Sequence, residues 1–521
     1  MAVVLAALPA HAASKNLFFD LRSEAKPISV QSGRHWEANR TSAIVRAENL
    51  SQDFIFNAGA RRLYVAKQRG RQIALASQQV QTYQGEIFLR SRPRARLHPG
   101  SFTISVVEDQ SGRHVNGYIV TPGGPEFRIE SAANGRSNII ELNPLEEPLC
   151  GANLDQVDQS SVEVMHHQLA QSAAVISPAA VSNMRVLVVY SAAARAAAGG
   201  TSSMLSTIST MVAYANTAYS ASGISAQLTL AGTAELSSPD ESTDYFTNLN
   251  RLTSSDGVWD EVHAMRTQVH ADLVSVIVEN VGVCGVAWVA PGSASFAFSM
   301  IQRSCTSSFA HEIGHNLGAL HDLQNAGGAN STYSYGWRFT GNSAQQFRTI
   351  MAYAPGTRIQ RFSSPLVIYD GQPTGVENAA DNARMLNLTV PTAAAYLDEP
   401  SGEPTPTPQP GQPTPEPTAS PTPGPAQGSI TLIQGPRVKN SISLIATLTK
   451  DNSAMIGERV GLYRLLSSSH ARLVSVGYTS SEGKVNFKVR KNLIGSAFIA
   501  SAMDLGIESS SVRILDRLRR R

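Results

Sequence analysis

Residues 399–425 read EPSGEPTPTPQPGQPTPEPTASPTPGP and hold 11 of the chain's 27 prolines. Proline lacks an amide hydrogen and has a fixed φ, so such a run packs no core and behaves as a semi-rigid extended spacer. A chain of 521 residues is also too long for a single core. The tract therefore predicts a linker over 399–426 between independently folded parts.

Beyond it, residues 427–521 offer seven short alternating runs: SITLIQGP, SISLIATLTK, RVGLYRLLSS, ARLVSVGYTS, KVNFKVRK, SAFIASAMD and SSSVRILD. Period-two alternation at this density, broken by turn residues, predicts an immunoglobulin-like β-sandwich. This module has 15 Lys and Arg against 6 Asp and Glu, a surplus of nine positive charges, which leaves the rest of the chain six negative (28 against 34). A basic β module suits an acidic polymer or a cell surface, or it simply presents a solvated face.

The opening MAVVLAALPAHAASK joins an apolar run to Ala10-His11-Ala12, the small-x-small pattern that signal peptidase cuts. It predicts a signal peptide over 1–13 and a secreted product, extracellular or periplasmic, although the run lacks a basic start. No later stretch reaches the ~18 uninterrupted apolar residues of a membrane span, because Glu279 and Asn280 break the longest candidate. The net charge of +3 does not imply a nucleic-acid partner.

Residues 14 to about 150 are strand-rich, with GEIFLRSR, SFTISVVED, HVNGYIVTP and EFRIESA. The stretch 151–180 is polar and rich in Ala and Ser, the composition of an exposed connection. Over 181–398 the pattern alternates: MRVLVVYS as a buried strand, a helix over 202–220 closed by Gly223, then ISAQLTLAG as a strand. DGVWDEVHAMRTQVH follows as a helix and ADLVSVIVEN as another strand. Such alternation predicts an α/β domain with a largely parallel sheet.

HEIGHNLGALHD, residues 311–322, carries the chemistry. Four residues apart on a helix, His311 and His315 present their imidazoles from one face to one ion. Glu312 beside them is badly placed as a ligand but well placed to take a proton from a water that the metal activates. Gly318 can adopt the left-handed conformation that ends a helix, so that His321 returns to the same point. Three neutral imidazoles and an open position are the ligand set of a catalytic zinc site. HExxH alone is common as plain helix surface, whereas the five fixed positions of HExxHxxGxxH are far rarer by chance. Asp322 either steadies a ligand histidine or is an exposed turn carboxylate.

HEIGHNLGALHD resembles the zinc signature of the metzincin metalloendopeptidases. TIMAY, residues 349–353, resembles their methionine-containing turn, with Met351 as its methionine and Tyr353 two residues on, where some members bind the metal or steady the oxyanion. CGVAW (284–288), YSYGWRF (333–339), RIQRFSSP (358–365) and DNARMLN (381–387) narrow the likeness to reprolysin-like enzymes, the bacterial peptidyl-Asp metallopeptidases. Over about 184–397 the resemblance implies one catalytic Zn2+ and a zincin-like fold with a mixed sheet and an active-site helix. It implies protein or peptide substrates, and an edge strand, GVAW, that pairs with them. Some members prefer an acidic residue after the scissile bond, for which Arg358 and Arg361 are candidates because a guanidinium clamps a carboxylate bidentately.

There are three cysteines. Cys284 and Cys305 flank the segment entering the active-site helix, and export permits a disulfide between them. Cys150, in PLCGAN, resembles the cysteine switch of metzincin zymogens, in which a thiolate fills the open metal position. Residues 14–180 are then a β-rich inhibitory propeptide, and the alternative is an incidental buried thiol. Two rivals remain. A thermolysin-type zincin takes its third ligand from a later glutamate, against which Gly318, His321 and Met351 argue. An inactive metzincin-fold adhesin would work through its basic C-terminal module, and the intact Glu312 argues against it. The expected protein is a monomer.

Overall fold

The computed structural model describes residues 16–23, 36–56, 64–68, 80–89, 99–151 and 181–397, with breaks at 123, 144, 146, 238–239, 327–330 and 332. In the last module it describes 429–438, 441–450, 453–455, 459–465, 471–480, 482–490, 496–502, 507–509 and 512–513. The expected signal peptide, the connection over 152–180 and the proline-rich linker lie outside these residues. The described N-terminal residues form one compact unit with Asn183–Leu397, and the last module forms a second.

Nine strands make the N-terminal sheet: β1 (Phe18–Ser23), β2 (Glu37–Val45), β3 (Phe54–Phe56), β4 (Tyr64–Gln68), β5 (Val80–Leu89), β6 (Gly100–Asp109), β7 (Gly112–Val120), β8 (Glu126–Ser131) and β9 (Ser137–Leu142). Their order is β1-β2-β9-β8-β7-β6-β5-β4-β3. Asn16 bridges Ile55 in β3, and the Leu17 amide donates to the Ile55 carbonyl at 2.8 Å, so the two ends of the sheet meet. Closure in this way leaves little open edge for another chain to extend. Along β6, Phe102, Ile104 and Val106 enter the enclosed core with Phe54, Phe56 and Phe127.

Thr103, Ser105 and Val107 alternate to the other face of β6, as strand geometry requires. That face meets the long helix Thr201–Ala221. Val80, Val107 and Leu205 form a small apolar cluster there. Ser206 donates to the Ser105 carbonyl at 2.8 Å, Thr210 to the Asn116 carbonyl at 3.2 Å, and Gln84 to the Ala213 carbonyl at 2.8 Å. A helix apolar on one side and rich in Ser and Thr on the other is thereby buried on both. This contact merges the N-terminal sheet and the α/β part into one unit.

In the α/β part β10 (Ser182–Tyr190), β12 (Leu273–Val278) and β14 (Phe298–Gln302) are parallel neighbours. With β11 (Ala226–Glu235) and β13 (Gly285–Ala287) the order is β11-β10-β12-β14-β13, and β13 is an antiparallel edge. The sheet is therefore mixed. Sequence periodicity missed the helices Ala192–Ala198 and Tyr245–Thr253. It also overextended the next one, which runs only Glu261–Gln268. There the Asp260 carboxylate accepts from the amides of Asp256 and Gly257, and Trp259 sits at φ 66°, so the preceding residues form a turn. The active-site helix is Ser308–Asn316.

In the last module each of the seven expected runs contains a strand. Ser429–Val438, Ser441–Lys450 and Lys484–Arg490 make one sheet, and Arg459–Leu465, Ala471–Tyr478, Ala497–Ala502 and Val512–Arg513 the other. Leu444 and Phe487 from the first share a core with Leu462 and Phe498 from the second, as the layers of a sandwich do.

Candidate active site

The active-site helix is buried along its length, so each polar group on it needs a partner. It ends at Gly318, whose φ of 89° reverses the chain. The Gly318 amide donates to the His315 carbonyl at 2.9 Å and the Ala319 amide to the Gly314 carbonyl at 2.8 Å, the paired bonds of a Schellman stop. The reversed chain carries His321 back beneath the helix. Its Nε2 lies 3.1 Å from Nε2 of His311 and 3.0 Å from Nε2 of His315.

Backbone carbonyls fix the orientation of two rings. His311 Nδ1 donates to Ile350 at 2.9 Å and His315 Nδ1 to Ala319 at 2.8 Å, which leaves the Nε2 lone pairs facing inward. Burial, and then mutual repulsion, push the pKa of His311 and His315 well below the ordinary range, and burial takes His321 to about 4. Three neutral imidazoles converging in this way repel one another unless a cation lies between them. Nitrogens bound to a tetrahedral ion with bonds of about 2.0 Å are about 3.3 Å apart, so the set fits a divalent metal.

Glu312 stands on the same helix with Oε1 buried and, among the described residues, without a hydrogen-bond partner. Burial pushes its pKa well above the usual carboxylate range, against the hydrogen bond from Cys150. A Cβ added to Gly285 would come within 2.5 Å of Oε1, so only glycine lets the edge strand pass this close to the carboxyl.

Cys150 comes from the far end of the N-terminal part. Its Sγ donates to Glu312 Oε2 at 3.3 Å, and it gathers with the three histidines so that the four candidate ligand atoms lie within 4.8 Å of one another. The segment before and after it lies along β13. The Cys284 amide donates to the Leu149 carbonyl at 3.1 Å and the Gly151 amide to the Gly285 carbonyl at 2.7 Å, in parallel pairing. Cys284 and Cys305 are disulfide-bonded, 5.4 Å apart at Cα, and tie β13 to the entry of the helix.

A model of the reprolysin-like metallopeptidases of family M12B matches residues 180–379. The chain is 34% identical over 304 residues to a peptidyl-Asp metalloendopeptidase of Stenotrophomonas maltophilia strain R551-3, covering 56% of this chain and 70% of that one. It is 32% identical over 325 residues to the enzyme of that name from Xanthomonas campestris pv. campestris, covering 60% and 75%. This chain belongs to the family of these reprolysin-like metalloendopeptidases. Its mixed sheet and active-site helix fit the catalytic domain that the family implies.

Met351 of the metalloendopeptidase is fully buried, and a Cβ on Gly314 would meet its Sδ at 3.0 Å, so the methionine lies directly under the active-site helix. The Tyr353 hydroxyl is 3.1 Å from His321 Nε2 and donates to the Cys150 carbonyl at 3.2 Å. Asp322 is buried, not an exposed turn carboxylate. It accepts from the Tyr353 amide at 3.0 Å and from Arg338 at 2.8 Å, so it holds the methionine turn in place.

Of the two arginines singled out in the sequence, Arg358 is buried, and Arg361 lays its guanidinium over the Tyr369 ring at 4.8 Å. Arg358 grips Glu147 through two bonds, Nη1 to Oε1 at 3.0 Å and Nη2 to Oε2 at 2.6 Å. The second guanidinium on that carboxylate is Arg348, at 3.1 Å. Arg348 donates in turn to the carbonyls of Ala352 and Gly356 at 3.1 and 3.0 Å, just after the methionine turn. Burial works against ionisation of Glu147, but Arg358 and Arg348 outweigh it and hold the carboxyl below its usual range. Sequence reasoning missed Arg348 and Glu147, because neither stands in a motif.

Proposed function

We propose that this metalloendopeptidase is zinc-dependent and that it is made as an exported, latent precursor. The observation that carries the reading is the convergence of His311, His315 and His321 with Glu312 and Cys150 at one point. His311, His315 and His321 hold the ion, with Met351 packed beneath. Zinc held there would lower the pKa of water to about 7 and polarise the scissile carbonyl. Glu312 takes the proton of the attacking water and passes it to the leaving amine. Tyr353 donates its hydroxyl hydrogen to the oxyanion that develops.

The extended substrate pairs with the edge strand β13 and the residue before it, where the Cys284 amide and the Gly285 carbonyl are the groups that Leu149 and Gly151 engage. In the precursor Cys150 holds the place of the attacking water, and cleavage over 152–180 lets the segment leave. The names of the relatives, peptidyl-Asp metalloendopeptidases, support a preference for an acidic residue after the scissile bond. The apolar start of the chain supports export. No described helix is long and apolar enough to cross a membrane. The last module we read as an immunoglobulin-like spacer or docking unit with a basic surface.

Hydrolysis of casein by the protein freed of residues 1–180 tests the reading. A chelator should abolish it and added zinc should restore it. Glu312→Gln should keep the metal while losing about 10²–10⁴-fold in rate. Chelator-resistant hydrolysis, or full activity of Glu312→Gln, contradicts the proposal.

A further inference from the structure

Glu147 poses a question that the switch cysteine does not answer. A glutamate taken out of water normally costs stability unless its charge is fully met. This one is 9% exposed at its side chain and enters a pocket made by Arg348 and Arg358, themselves 1% and 8% exposed. Three charge-assisted hydrogen bonds receive it, two of them a bidentate fork. The pocket is held from the catalytic side: Arg348 by the Ala352 and Gly356 carbonyls, and Arg358 by the Ser307 hydroxyl one residue before the active-site helix. Glu147, by contrast, belongs to the N-terminal part and leaves with it.

Glu147 is only three residues from Cys150, a reach of roughly 10 Å in an extended chain. One short segment thus places a sulfur among the histidines, its backbone on the edge strand and a carboxylate between two arginines. We infer that Arg348 and Arg358 form the specificity pocket for the acidic side chain of a substrate, and that Glu147 fills it in the precursor as a built-in surrogate. This rests on the peptidase reading above and goes beyond it, because it names the residues that select the substrate and a second, thiol-independent lock on the cleft. The ligand class is a peptide carrying a carboxylate beside the scissile bond. Once Glu147 has gone, two guanidiniums aimed at one point favour such a side chain over its isosteric amide.

The test is a double-mutant cycle in the full chain, with Glu147→Gln, Arg358→Gln and the two combined. The first readout is the alkylation rate of Cys150 in the intact precursor, which requires no catalysis. Each single change should speed alkylation about ten- to a hundredfold, and the pair should add little, since both remove one contact. The second readout is the ratio of kcat/KM on two peptides that differ only in Asp or Asn after the scissile bond, measured once the N-terminal part has been cut away. Arg358→Gln should lower that ratio about ten- to a hundredfold. Arg358→Lys keeps the charge but not the fork, and should move both readouts the same way by less, which separates the effect from misfolding. Unchanged alkylation in Glu147→Gln, or an unchanged Asp/Asn ratio in both Arg358 variants, overturns the inference. Absence of any chelator-sensitive hydrolysis would instead defeat the peptidase reading, and alkylation would still judge the lock.

Discussion

The N-terminal part holds the catalytic part in two different ways. Through β5–β8 it lies broadly on the long helix and on the loop before the active-site helix, with small hydroxyl contacts and a buried ion-pair chain. In that chain Arg128 bonds Glu37, Glu130 at 2.9 Å and the Ser304 carbonyl at 2.8 Å, while Arg303 bonds Glu130 at 2.9 Å and Glu279 at 2.7 Å. Residues 147–151 instead reach Arg348 and Arg358, the backbone of Cys284 and Gly285, Glu312 and the three histidines. On the proposed reading attachment and inhibition are carried by separate regions, so changes in each should separate binding of the N-terminal part from silence of the enzyme.

The largest effect is expected on the broad face. Arg128→Ala leaves Glu37 and Glu130 buried without this partner and should cost about 3–5 kcal/mol of precursor stability, read by thermal or denaturant unfolding. The freed catalytic part, which keeps none of these groups, should melt unchanged. Next comes the strand beneath residues 147–151. Removing the Cys284–Cys305 bond, which closes a loop of 21 residues, should cost about 3 kcal/mol and should affect precursor and freed enzyme alike. A loss confined to the precursor would mean that the bond serves the docking instead.

Cys150→Ser acts on the segment alone. It should raise hydrolysis by the uncut precursor by an order of magnitude or more while shifting its melting by little, because the broad face is untouched. Equal silence of the variant would assign inhibition to the Glu147 contacts or to the sheet. The smallest effect is one of pH. The Glu147 carboxyl is held below its usual range, so the stability it contributes is present above an unfolded pKa of about 4.3 and is lost as pH falls through the lower folded value. The melting difference between the precursor and its Glu147→Gln variant should be constant from about pH 5 to 8 and should shrink as the pH falls below about 4. A difference that grew on acidification would contradict the ion pairs.

The same division governs what could be read beforehand. His311, Glu312, His315, Gly318 and His321 lie within one helix and its stop, so helical periodicity and one glycine fix their geometry locally. Met351 and Tyr353 became legible through resemblance, and Cys150 through its Cys-Gly pair ahead of the catalytic part. Of the proposed acid pocket, one residue was singled out beforehand. Arg358 followed from its nearness to the methionine turn, but Arg361 has the same nearness and stacks on Tyr369. Arg348 precedes the turn, and only three-dimensional closure of the loop over Ala352 and Gly356 brings it to the carboxylate. Docking of the N-terminal sheet was illegible for the same reason, since nothing in the Ser and Thr of the long helix names β5–β7 as the strands that cover them.

X-ray absorption at the metal edge, on the zinc-loaded full chain before and after removal of the N-terminal part, tests the account most directly. One sulfur and three nitrogens around the metal in the precursor, with the sulfur replaced by oxygen after cleavage, is the predicted result. Only nitrogen and oxygen neighbours in the intact chain, or a sulfur that persists after cleavage, would contradict it.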